Sequence, residues 1–109
     1  MTNLQTNHAD VAELLRQLAE SPETIWSFGS HVRADGGTHA LDEMRKDDID
    51  HSDLVYVMSR CAVVRSEPSR FGEIRYRAVG RNVDGVKMTF IVTIWEKMKK
   101  IEVVTAWSN

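Results

Sequence analysis

Val11, Leu14, Leu15 and Leu18 recur at spacings of three and four, which predicts an amphipathic helix over about 8–20, with Asn7 placed to cap its start and Pro22 closing the run. From Thr24 to Arg33 the apolar positions Ile25, Trp26, Phe28 and Val32 suit a strand or an irregular helix almost equally, and we read a strand. Asp35-Gly36-Gly37 then breaks the pattern, and Thr38 is placed to cap a short helix with Ala40, Leu41 and Met44 on one face. Asp50, with Asp53 three residues on, has the form of a capping box. It predicts a further helix through about Arg60 that buries Leu54, Val55 and Met58, with acidic groups favoured at its N-terminus.

After Cys61 the period changes to two. Ile74, Tyr76 and Ala78 fall on one side and Glu73, Arg75, Arg77 and Val79 on the other, the alternation of a half-buried strand. Asp84-Gly85, between Val83 and Val86, signals a hairpin with a tight turn of the primed type. The returning strand runs to about Trp95, and Lys97-Met98-Lys99 turns the chain into a last strand from Ile101 to Trp107. The expected fold is therefore α+β: helices over about 8–60, packed on a curved antiparallel sheet of three to four strands over about 62–107. One apolar core would bury Leu14, Leu18, Leu54, Met58, Ile74, Phe90 and Val92.

Composition sharpens this picture in two ways. With 109 residues and 42% apolar content the chain suits one domain, 1–109, and its longest apolar runs fall far short of the roughly 20 residues a membrane-crossing helix needs. The opening residues lack a basic and then apolar leader, so a cytoplasmic protein is expected. Charge is divided unevenly: residues 1–53 carry 11 acidic and 4 basic side chains, net −7, and residues 54–109 carry 5 acidic and 10 basic, net +5. Such a basic half suits a negatively charged partner, either RNA or an acidic protein.

The basic positions are patterned. Arg75, Arg77 and Arg81 alternate onto one strand face, and Lys87 joins them from across the hairpin. Paired guanidinium donors match phosphate oxygens and would stabilise charge building on a scissile phosphate; the same face could equally be a solvated row of ion-paired arginines. His39, just after the glycine-rich break, is a candidate general acid or base near neutral pH, or a hydrogen-bonded structural residue. Trp107, Trp95 and Tyr76 are candidates for stacking on unpaired bases, or for core anchors. Glu73 reads as an ion-pair partner. His8, His31 and His51 have no metal-site spacing, the single Cys61 among apolar neighbours reads as a buried, inert thiol, and no cofactor is implied.

The stretch Thr38-His39-Ala40-Leu41-Asp42-Glu43-Met44, followed by Ile49 and then Asp53-Leu54, resembles a family of small uncharacterised bacterial domains with the pattern T-x-H-A-x-x-R-M. The segment from Glu73 through Gly80-Arg81, then a hairpin and Val103-Val104-Thr105-Ala106-Trp107, is similar to the sheet of BrnT-type toxins. Glu43 stands where the first pattern has arginine, and Trp107 where the second ends in arginine. The resemblance covers about residues 30–107. It implies a RelE-like fold and the toxin half of a bacterial toxin–antitoxin pair. In that reading the chain is a metal-independent endoribonuclease in which His39, Arg75 and Arg77 act on the scissile bond and Arg81, Lys87 and Trp107 hold RNA. The alternative is a non-enzymatic module whose basic face binds an acidic antitoxin or regulator.

Overall fold

The computed structural model describes residues 7–29, 39–69 and 72–108. Thr38, His31 and the Asp35-Gly36-Gly37 break lie outside them.

Helix α1 spans His8–Glu20, and the Asn7 side chain accepts a hydrogen bond from the Asp10 amide, supplying one of the partners that a helix start lacks. Its buried stripe is Val11, Leu15, Leu18 and Ala19, with Leu14 only partly covered. Helix α2 spans His39–Lys46 and buries Ala40 and Met44, whereas Leu41, expected on the same face, is exposed. Asp48 ends α2 in the left-handed region at φ 59°. Around it the Ile49 amide donates to Met44 O at 2.7 Å and the Asp48 amide to Arg45 O at 3.2 Å, a Schellman closure that seats Ile49 against buried Met44.

Helix α3 spans His51–Met58, opened by a reciprocal box in which Asp50 accepts from the Asp53 amide and Asp53 accepts from the Asp50 amide. The Asp53 amide and the Ser52 hydroxyl hold the Asp50 carboxyl below its ordinary pKa. The buried positions of α3 are Leu54, Val57 and Met58; Val57 takes the core place that the sequence pattern gave to Val55.

The strands are β1 (Ile25–Phe28), β2 (Ala62–Pro68), β3 (Ile74–Arg81), β4 (Lys87–Trp95) and β5 (Lys100–Ser108), hydrogen-bonded in the order β1-β5-β4-β3-β2. The sheet thus has five strands rather than three to four and is mixed. β2 to β5 form an antiparallel meander, and β1 adds to β5 in parallel with Ile25 opposite Lys100 and Phe28 opposite Val103. The hairpin lies at Asp84-Gly85 but is not a two-residue primed turn. Only Gly85 has positive φ, at 85°, and the Gly85 amide reaches Asn82 O, the geometry of a three-residue loop closing on a left-handed glycine. Asn82 stabilises it, its side-chain oxygen accepting from the amides of both Asp84 and Val86. At the other end of the meander a short 3-10 turn, Glu96–Met98, leads into Lys99 at φ 50°.

One face of the sheet meets the helices. Val63, Tyr76, Ala78, Met88, Phe90, Val92, Ile101, Val103 and Ala106 form one buried cluster with the apolar stripes of α1, α2 and α3, and Trp26, Phe28, Ile74 and Ile94 pack against it. Among the described residues no helix is long and apolar enough to cross a membrane.

Gly80 marks where α3 presses on β3: a Cβ there would lie 3.0 Å from Val57 Cγ1. Val57 is fully buried and has little room to retreat. Gly80→Ala is expected to destabilise by about 1–3 kcal/mol, the usual range for overpacking. A chemical-denaturation midpoint equal to that of the parent would show that the contact yields without cost.

Candidate functional site

The other face of the sheet carries the positively charged pattern. In β3 the inward residues Tyr76 and Ala78 alternate with Arg75, Arg77, Val79 and Arg81, so the arginines share the face turned away from the helices. Register extends this face across the sheet. Arg65 of β2 stands opposite Arg77, Glu67 opposite Arg75, and Lys87 of β4 opposite Arg81. On β4 and β5 the outward positions are Thr89 beside Trp107, Ile91 beside Thr105, and Thr93 beside Glu102. The β5 bulge at this point inserts Val104 and so keeps Trp107 on the same face as Glu102.

Thr89 and Thr93 are 5% and 3% exposed although no described helix lies over them. The Arg77 guanidinium carbon lies 5.6 Å from the centre of the Trp107 ring, so Arg77 of β3 and Trp107 of β5 meet across β4. That distance is within cation–π range.

Arg75 and Arg77 are half-buried, and the Nε atom of each is shielded from solvent without a hydrogen-bond partner. Among the described residues neither forms an ion pair: Arg65 lies 3.5 Å from Glu67 in its own strand, and Arg81 donates from Nη1 to Gly85 O at 2.8 Å. The Arg65–Arg77 pair also sets like charges directly across two strands, an unfavourable arrangement. A buried donor left unpaired costs about 1–3 kcal/mol. Among the described residues the face therefore carries guanidiniums without ion pairs, whose Nε atoms are shielded and unpaired.

Of the residues singled out from sequence, Arg75, Arg77, Arg81, Lys87 and Trp107 come together on this face. The backbone of His39 opens α2, which packs through Ala40 and Met44 on the opposite side of the sheet; its side chain lies outside the described part. Trp95 is at the far end of β4 and 37% exposed, and Tyr76 faces the core, where burial pushes its phenol pKa up. Glu73 precedes β3. Sequence reading missed Arg65, Thr89, Thr93 and Glu102. Arg65 and Glu102 each sit in an alternating strand, and pairing the strands in register was the one signal that could have assembled them.

Cys61 lies away from this face, between the end of α3 and β2, with its Sγ 3.7 Å from Met58 O. Burial pushes its thiol up to about 11. A thiol whose folded pKa is raised adds stability that is present below the ordinary range near 9 and lost as pH climbs to about 11. At pH 8 the folded protein should react with iodoacetamide about 100-fold more slowly than a free thiol, because alkylation requires the thiolate. Alkylation at the free-cysteine rate in folded protein would contradict this environment.

No family model, curated protein or solved structure matches this chain.

Proposed function

We propose that the helix-free face of the sheet binds single-stranded RNA, and that the chain is a toxin-like, metal-independent endoribonuclease with a RelE-like or BrnT-like plan. The observation that carries this reading is the pair of half-buried guanidiniums of Arg75 and Arg77, which form no ion pair among the described residues and each of which has an unpaired Nε–H. Guanidinium edges of this kind match phosphate oxygens in pairs. Trp107 beside Arg77 offers an aromatic surface on which an unpaired base can stack. Arg65, Arg81 and Lys87 extend the positive charge along the strand direction.

Cleavage on such a face would proceed by attack of the RNA 2′-hydroxyl on its own phosphate, with the arginines stabilising the charge that grows on the phosphoryl oxygens. His39, expected from sequence to move the proton, opens α2, and its side chain lies outside the described part.

The test uses the intact chain with a fluorescently labelled single-stranded RNA oligonucleotide and chelator present. Binding is expected to weaken steeply with salt, with a log–log slope of about −0.7 for each phosphate contacted. Cleavage should yield a 2′,3′-cyclic phosphate and stop when the 2′-hydroxyl at the scissile position is replaced by hydrogen. Binding of an acidic polypeptide, with no binding of RNA at any salt concentration, would transfer the face to a protein partner.

A further inference from the structure

The basic face holds one carboxylate in a position to do chemistry. One register step beyond the Tyr76–Val92 pair, Arg75 stands beside Thr93, and Thr93 pairs in turn with Glu102. Arg75, Thr93 and Glu102 therefore form a row across β3, β4 and β5, on the face opposite the helices. Adjacent strands are about 4.8 Å apart, so the backbones of Arg75 and Glu102 are separated by about 10 Å. Two long side chains at that separation flank a short threonine that is 3% exposed. Glu102 is only partly exposed, and among the described residues it has neither a hydrogen bond nor an ion pair. Glu67, which also lies on this face, is in contrast engaged by Arg65.

We propose that Glu102 is the general base of this face, removing the 2′-hydroxyl proton of an RNA strand whose scissile phosphate is held by Arg75 and Arg77. The proposal rests on the RNA-cleaving reading above and adds to it a proton acceptor on the same face as the arginines. The step is balanced as follows. Glu102 takes the proton from O2′, O2′ forms a bond to phosphorus, the bond from phosphorus to the 5′-oxygen of the next nucleotide breaks, and that oxygen takes a proton from solvent water at the open face. The products are a 2′,3′-cyclic phosphate and a 5′-hydroxyl, with no change in oxidation state.

The experiment compares parent, Glu102→Gln and Glu102→Asp on the same labelled RNA, with chelator, from pH 4 to 8. In the parent, kcat/KM should fall towards acidic pH, as a reaction that depends on a general base does. Glu102→Gln should lower kcat by about 10²–10⁴-fold and lose the acidic limb, while RNA affinity stays equal or improves because a negative charge has left the face. Glu102→Asp should restore part of the rate together with the limb. Equal thermal midpoints for the three proteins exclude a folding cause, and a lower midpoint in Glu102→Gln transfers the decision to Glu102→Asp. If Glu102→Gln keeps both the parental rate and the limb, the base lies elsewhere while the ribonuclease reading stands. A parent that binds RNA without cleaving it overturns both, and a parent that does not bind RNA overturns the proposed function itself.

Discussion

Phe90→Ala is expected to remove about 3–5 kcal/mol of folding free energy, the usual cost of truncating a fully buried aromatic. Phe90 has no exposed surface and lies in the central strand, paired on one side with Ala78 of β3 and on the other with Ala106 of β5. Both neighbours are small, so the ring fills the space that they leave, and nothing adjacent is long enough to refill it. A domain of this size has about 5–15 kcal/mol in total, so the variant should unfold at a sharply lower urea concentration or fail to fold at ordinary temperatures. Val64→Ala is the control: Val64 is 54% exposed on β2 and should shift stability by no more than about 0.5 kcal/mol. A Phe90→Ala protein as stable as the Val64→Ala protein would mean that the helices do not pack on this face as described.

The second large effect is on binding. Exchanging both Arg75 and Arg77 for glutamate should abolish RNA binding at physiological salt, and the milder double alanine variant should make the salt slope shallower by about 1.4 units, at about 0.7 per phosphate on single strands. Among the described residues neither arginine has an ion-pair partner, so their loss strands no buried charge there, and removing the unpaired Nε–H groups lowers a desolvation cost. The double alanine variant should therefore be as stable as the parent or more so, while binding less. That combination separates a ligand site from a structural ion-pair row, in which stability and binding would fall together. Trp107→Ala should weaken binding while leaving the salt slope unchanged, since stacking releases no counterions. Retained RNA affinity with an unchanged slope in the double alanine variant would remove these arginines from the interface.

Local chemistry was legible in the sequence, and pairing between distant segments was not. The 3.6-residue period of Val11, Leu15 and Leu18 and the cap at Asn7 give α1 its bounds, because both signals lie within a single helix. The capping box at Asp50 and Asp53 placed the start of α3 for the same reason, but the choice between Val55 and Val57 depends on how α3 is rolled against Gly80 of β3. Asp84-Gly85 located the hairpin, whereas its turn type follows from the Asn82 side chain capturing two amides, a detail that the dipeptide does not encode. The fifth strand went uncounted because β1 pairs with β5 in parallel across most of the chain. The site shows the same limit: alternation in β3 put Arg75 and Arg77 on one face, but Trp107 and Glu102 join them only through the β4–β5 register and its bulge.

The placement of β1 also has a consequence for how the chain is made. The meander from β2 to β5 can zip strand by strand as it leaves the ribosome, but Ile25–Phe28 has no partner until residues 100–103 have been synthesised. At about 5–20 residues per second, Trp26 and Phe28 wait on the order of 4–15 seconds for the strand beside which they will pack. During that interval they are the apolar segment most open to chaperones or to pairing with another nascent chain. In the finished protein the same short outermost strand should be the first part of the sheet to open. Amide hydrogens at Ile25 and Ser27 are expected to exchange well before those of Phe90 and Val92.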